Sequence, residues 1–396
     1  MNKLSMVGLL LCLVLVIGTT GCIGAKSSAE VAGNCHPTIT EVIKLLKADI
    51  AEDIILTYIA KHNLPPDLSA DDIIKLQHEG GSSAIISALL GTQPGEPGSE
   101  FPFNLDKRHS VGEPITYGAL AVFPVYVEAA ERAQQFLTLD AAEELGVVVI
   151  TEKSGGSVPA VIIRNTGDAA IYICAGEVIF GGKQDRMIAH DVVIAPSETI
   201  EVKVRCVESG RWHGTSSHFT SGGFMGSNKV RGAVQFMEQS DVWNRVAEQN
   251  ADLEAQTNTG TYRAALTHEE IQILYDEFAG EILPHLEGDN LVGMIIAVNG
   301  EILCIDIFGN PGLFNDLKGK ILKASVLDII GIEEEGISTP SKAQILEFYR
   351  EATEAESEEL QQYEGNANNK RDSQNALVNE SLDDQGQMFH QNIIQK

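Results

Sequence analysis

The stretch ETIEVKVRCVESGRW, Glu198 to Trp212, decides the fold. Ile200, Val202, Val204 and Cys206 alternate with Glu201, Lys203 and Arg205. A period of two puts one side of a strand into a core and the other into water. At Val207 the alternation stops, and Glu208, Arg211 and Trp212 follow within a few residues of the strand end.

Other strands surround this one. GALAVFPVYV, GVVVIT, VPAVIIRN and AAIYICAG are short apolar runs separated by Gly, Asn and Ser-Gly-Gly punctuation. In GMIIAVNGEILCIDIF two apolar runs flank Asn299-Gly300, the preferred pair for a two-residue hairpin turn. Helices are interspersed. TLDAAEELG reads as a short helix capped by Thr138 and stopped at Gly146. MEQSDVWNRVAEQNADL and NDLKGKILKASVLDII have helical patterning, and Thr267 with Glu270 forms a capping-box pattern. Ser338, Thr339 and Pro340 open a last helix expected to reach Tyr363. The expected fold is α+β: a β-sandwich-like core of mostly antiparallel strands decorated by helices, with a small all-α repeat module at the N-terminus.

That module rests on an internal repeat. EVIKLLKADIAEDIILTYI from Glu41 matches the segment after Asp71, with Val42 over Ile73, Leu45 over Leu76 and Ile54 over Ile85. Each unit reads as helix, turn, helix, with Ser69 as a cap between them. GTQPGEPGSEFP, residues 91–102, is rich in Gly and Pro and marks a boundary. The expected layout is a signal segment over 1–22, the helical module over 37–90, a linker over 91–117 and an α+β domain over 118–396. In that domain a helix covers 330–363, and 364–396 is a polar tail or a closing hairpin.

The first segment is an address. Lys3 precedes MVGLLLCLVLVI, Met6 to Ile17, an apolar run short of the ~20 residues that span a bilayer. Gly21-Cys22 follows, as in a lipobox, although Thr19 stands where Leu is usual. Lipidation at Cys22 and a lipid-anchored, extracytoplasmic location at the cell membrane are therefore expected. The remaining cysteines are scattered, and Cys174, Cys206 and Cys304 each lie in an apolar run. Buried free thiols are expected, with a Cys174–Cys206 bridge as the alternative in an exported, disulfide-permissive setting.

Charge excludes one class of partner. The 28 Lys+Arg against 56 Asp+Glu leave a net charge of −28, which repels phosphate backbones. Nucleic acid is not an expected partner. The membrane, through lipid on Cys22, a small-molecule ligand, and a protein partner for the helical module are. No cofactor is expected, and no metal. His190, His213, His218 and His390 lack ligand spacing such as H-E-x-x-H, and there is no C-x-x-C pair.

The densest polar chemistry follows the double glycine Gly181-Gly182, where Lys183, Gln184, Asp185 and Arg186 stand in a row. If this end meets the one at Cys206 to His213, Glu177 and Glu208 face Arg186 and Arg211. Two carboxylates suit general acid–base work, and Arg holds an anion through two parallel hydrogen bonds. The candidate catalytic residues are then Glu177 and Glu208, with Lys183, Gln184, Arg186, Arg211 and Trp212 as ligand-binding residues. An ion-paired network that merely closes one end of the β core is the competing reading. Asp306, in an apolar strand, reads either as a hydrogen-bonded core acid or as a catalytic one. The Gly/Ser-rich run over 214–232 reads as a mobile loop over a site. No G-x-S-x-G elbow supports a lipase-type triad.

The strings LAVFPVY, AGEVIFGGKQDR, CVESGRW, VWNRV and VGMIIAVNGEILCIDIF together resemble the ARG- and rhodanese-phosphatase-associated protein family. The resemblance runs from Gly118 to Phe314. It implies company with ADP-ribosylglycohydrolases and phosphatases, and hence chemistry on an ADP-ribose-like or phosphorylated small molecule. Two functions follow: a cell-surface lipoprotein with a ligand-binding or scaffolding domain, or a hydrolase or transferase using the Glu and Arg residues above. The signal segment sets this chain apart from an intracellular nucleotide role.

Overall fold

The computed structural model describes residues 37–48, 50–61 and 108–396, except 129–134, 154–158, 215 and 333–337, and a few single positions between 75 and 105. The chain divides into two compact units, Met1–Glu100 and Phe101–Lys396. In the first, helices α1 (Pro37–Lys47) and α2 (Glu52–Ala60) lie over the first of the two expected repeat units. Val42, Ile55 and Ile59 bury their side chains together with Leu76, Ile85 and Leu89. Most of the expected second repeat unit, Ser69, the Gly/Pro segment over 91–102 and Cys22 lie outside the described residues.

The second unit is mixed α+β with mostly antiparallel pairing. The strand read first, β11 (Thr199–Cys206), pairs with β6 (Ala160–Asn165) along its first half. Along its second half it pairs with β9 (Arg186–Ile188). This split partnership bends the sheet round. With β5 (Val148–Glu152), β8 (Glu177–Gly181) and β12 (His218–Met225), the strands close into a six-stranded barrel. Val161, Ile163, Ile179, Ile188, Val202 and Val204 share its apolar core, alternate residues in β6 and β11. A sandwich needs the same alternation, so the pattern that suggested one is satisfied instead by a closed barrel.

Beside it runs a nine-stranded antiparallel sheet. Its centre is the hairpin β13 (Leu291–Val298) and β14 (Glu301–Phe308), turning at Asn299 and Gly300 with φ 48° and 89°. Both faces are covered. Met294, Ile296 and Cys304 pack in the cluster that includes residues of the helix Pro311–Asp328. Ile295, Ile305 and Ile307 pack in the one that includes residues of Lys342–Glu354. Two-sided burial explains the continuous apolar runs of this hairpin.

Several boundaries differ from the sequence reading. His109–Val111 and Ile115–Tyr117, counted as linker, are strands paired to β3 (Leu120–Val127). Thr267 does not cap the helix Glu269–Ile282; it ends the short helix Arg263–Leu266, donating its hydroxyl to the Arg263 carbonyl. The last helix starts from a Ser341 cap and ends at Glu354. Ser357–Gln362 then pairs with Ala367–Asp372. The tail closes as the hairpin β17 (Ala376–Leu382) and β18 (Met388–Gln395), with β18 added to β14. The Gly/Ser-rich run expected as a loop supplies barrel strand β12. Cys174, Cys206 and Cys304 are free and buried.

Candidate functional site

The chain leaves β8 at Gly181 and Gly182, with φ 131° and 51°. A Cβ at Gly181 would lie 2.5 Å from the His218 carbonyl oxygen. Glycine is therefore required, and it lets the four polar residues turn back into β9. Asp185 closes this turn by accepting from the Gly181 amide at 3.0 Å. It also accepts from Arg263 Nη2 at 2.7 Å, Arg211 Nη2 at 3.2 Å and the Thr261 hydroxyl at 3.1 Å. Glu208 accepts from Arg211 Nε at 2.8 Å and from the Asp185 amide at 3.1 Å. Gln184 donates to the Glu208 carbonyl at 2.6 Å and accepts from Arg186 Nη1 at 3.2 Å.

The two polar strings therefore meet. Gln184, Arg186, Glu208 and Arg211 form one network at the end of the barrel, and the neighbouring Lys183 ammonium lies 5.2 Å from the Trp212 ring centroid. Burial alone raises the Glu208 carboxyl, but the hydrogen bonds from Arg211 and the Asp185 amide outweigh it and hold the group below the ordinary range. Arg211, Asp185 and Glu208 spend their charges on one another. Trp212 remains 48% exposed, and Lys183 has no carboxylate partner among the described residues.

Glu177 does not join this network. Its Oε2 accepts from the Cys174 amide at 2.8 Å and its Oε1 from Lys320 Nζ at 2.5 Å. Lys320 in turn reaches Asp140 at 2.7 Å. Burial raises the Glu177 carboxyl above its ordinary value despite the Lys320 charge.

Glu177 borders a second, fully buried polar group that sequence reasoning left unassembled. The turn after Ile171–Ile173 passes through Gly176 at φ 95°, where a Cβ would lie 2.7 Å from Arg231 Cγ. Arg231 fills that space, donating to the Ala175 carbonyl at 3.0 Å and to Asp306 at 2.8 Å. His390 lies between two carboxylates, with Nδ1 2.8 Å from Asp191 Oδ2 and Nε2 3.0 Å from Asp306 Oδ1. Asn392 also donates to Asp306, at 3.0 Å. Burial opposes ionisation of Asp306, yet Arg231 and His390 outweigh it and bring the carboxyl down to about 2. Burial alone lowers His390, but Asp191 and Asp306 raise it well above the imidazole range.

Asp306 is thus a hydrogen-bonded core acid. Asp191, Arg231, Lys320 and His390 carried no motif. Their one legible signal is polarity inside apolar runs, as in the buried HQN of β18.

The fold and its two ion networks define an α+β protein built from a small closed barrel and a helix-covered antiparallel sheet. Residues 108–396 match the ARG and Rhodanese-Phosphatase-superfamily-associated Protein domain, and the chain belongs to that family. No curated protein and no solved structure matches it.

Proposed function

We propose that this is a lipid-anchored extracytoplasmic protein whose family domain binds an anionic small molecule at the rim of the barrel. The observation that carries the reading is the pair Lys183 and Trp212. An ammonium without a carboxylate partner among the described residues lies over a half-exposed indole, on loops fixed by the buried Asp185–Arg211–Glu208 pairs. A cation and an aromatic face held in place beside a rigid network suit an anion carrying a ring, the shape of a nucleotide or an ADP-ribose-like ligand. Arg186 adds to this. Its side chain is fully buried, and its Nε and Nη2 have no hydrogen-bond partner among the described residues.

Binding is favoured over hydrolysis by a carboxylate pair, because Glu177 and Glu208 belong to separate networks with different partners. Attachment through lipid at Cys22 rests on the h-region and the Gly21-Cys22 junction. No helix among the described residues is long and apolar enough to cross a membrane.

A thermal-shift series with inorganic phosphate, AMP and ADP-ribose tests the binding. A ligand at about a hundred times its Kd stabilises the native state by about 2.7 kcal/mol. The reading requires a raised midpoint for at least one of these anions, lost in Lys183→Ala and Trp212→Ala. No shift with any of the three, or one that survives both substitutions, refutes it.

A further inference from the structure

The buried group around His390 is not used by the rim, and its donors have a chemistry of their own. Cys174 Sγ, an Asp191 carboxylate oxygen and a His390 ring nitrogen lie within 4.8 Å of one another. All three residues are fully buried. They come from the turn before β8, the residue before Val192–Ile194, and β18, so the site exists only in the folded chain.

We propose that Cys174, Asp191 and His390 bind a divalent transition-metal ion, zinc by the chemistry of the donors. Thiolate, imidazole and carboxylate are the zinc ligand set, whereas calcium and magnesium take oxygen donors.

The surroundings orient each donor. Asp191 Oδ1 is held by the Ala175 amide at 2.7 Å, which leaves Oδ2 toward His390 Nδ1. Asp306 takes the other ring nitrogen, Nε2. This fixes Nδ1 as the ligating atom, in the carboxylate–histidine–metal arrangement that orients the ring and raises its basicity. Asp306 is itself held by Arg231 and Asn392. The Phe308 ring stacks on the imidazole, 4.1 Å between centroids and 15° between planes. Arg231 Nη2 lies 3.7 Å from Cys174 Sγ, placed to donate to a thiolate.

Charge balance permits the exchange. Before binding, the His390 imidazolium and Arg231 offset the carboxylates of Asp191 and Asp306, with Cys174 a neutral thiol. When the ion enters, Cys174 and His390 each release one proton to solvent. The two charges of the ion and that of Arg231 then offset one thiolate and two carboxylates. The buried group is neutral in both states, so binding leaves no uncompensated charge in the interior. The expectation of no metal rested on local spacing, and these ligands are joined by tertiary contact alone.

The full-length protein, purified in detergent without chelator, tests this by elemental analysis, then by cobalt titration after the metal is stripped. The expected result is about one zinc per chain, with a thiolate-to-cobalt charge-transfer band on titration. Both are lost in Cys174→Ser and kept in Cys304→Ser, which alters another buried thiol. Asp306→Asn should weaken the metal about 10–100-fold while keeping the three donors, and it serves if Cys174→Ser does not fold. Wild-type protein that is folded by fluorescence but retains no zinc and gives no cobalt band overturns the proposal. So does a band that survives Cys174→Ser, or one that Asp306→Asn leaves at wild-type affinity.

Discussion

Arg231→Met removes the guanidinium from a fully buried ion pair while keeping an unbranched side chain. Arg231 and Asp306 have fully buried side chains, and their closest contact is 2.8 Å. The substitution leaves Asp306 ionised with only His390 and Asn392 as donors, and strips the Ala175 carbonyl of its Arg231 bond. Breaking one partner of a buried pair costs about 3–5 kcal/mol, and an orphaned carbonyl adds about 1 kcal/mol. The loss should therefore be about 4–6 kcal/mol, most of a typical domain's stability. Trp212 and Trp243 both lie in Phe101–Lys396, so urea unfolding followed by tryptophan fluorescence reports that unit alone. Asp306→Asn combined with Arg231→Met should recover at least about 2 kcal/mol of the summed single losses, because contacting partners are not additive. A loss below about 1 kcal/mol for Arg231→Met, or strict additivity in the double variant, refutes the account of this pair.

Arg211→Ala should cost less, about 2–3 kcal/mol, because Arg211 is partly solvated and Asp185 keeps Arg263; a loss above 5 kcal/mol in the same urea assay would contradict that ranking. Arg186→Met should be neutral or stabilising, since it removes a buried charge that has no carboxylate partner among the described residues; a large destabilisation by urea would show that the guanidinium is paired. Asp328 is pushed up to about 6 by burial, against the hydrogen bonds it accepts from the Asn228 and Lys229 amides. A raised folded value means stability is fully present below pH ~4 and lost as pH rises through ~6, about 3 kcal/mol in all. Asp328→Asn should flatten that slope, and parallel pH–stability profiles would contradict it. Cys22→Ser should abolish the lipid mass and release the protein from membranes; equal detergent partitioning of the two forms ends the anchoring proposal.

Local features were legible wherever local physics decides them. Asn299-Gly300 turns because both residues accept positive φ, Thr138 caps because its hydroxyl meets the Ala141 amide, and Gly146 stops the helix at φ 69°. Closure into a barrel was not legible, because β11 divides its partners between β6 and β9 and no residue pattern encodes that split. The segment SEELQQ has helical composition but pairs as a strand with Ala367–Asp372, tertiary pairing overriding a weak propensity.

The site divides along the same line. Gly181-Gly182 followed by a polar run marked a turn that must be paired or solvated, and the structure brings Gln184, Arg186, Glu208 and Arg211 together there. Glu177 went to the other network because it begins β8, whereas Asp185 and Arg186 follow the turn at its far end. The grouping of residues around His390 was not legible for a different reason. Asp306 is a single polar residue in an apolar run, Asp191 and His390 sit in polar runs of two and three residues, and alone each reads as a strand's wet side or a satisfied core group. Only pairing β18 onto β14, with Asp306 opposite Asn392 and Phe308 opposite His390, brings His390 to the carboxylates. Burying so many charges is tolerable only if they compensate one another, so a polar residue beside apolar strand residues signals a partner without saying which one.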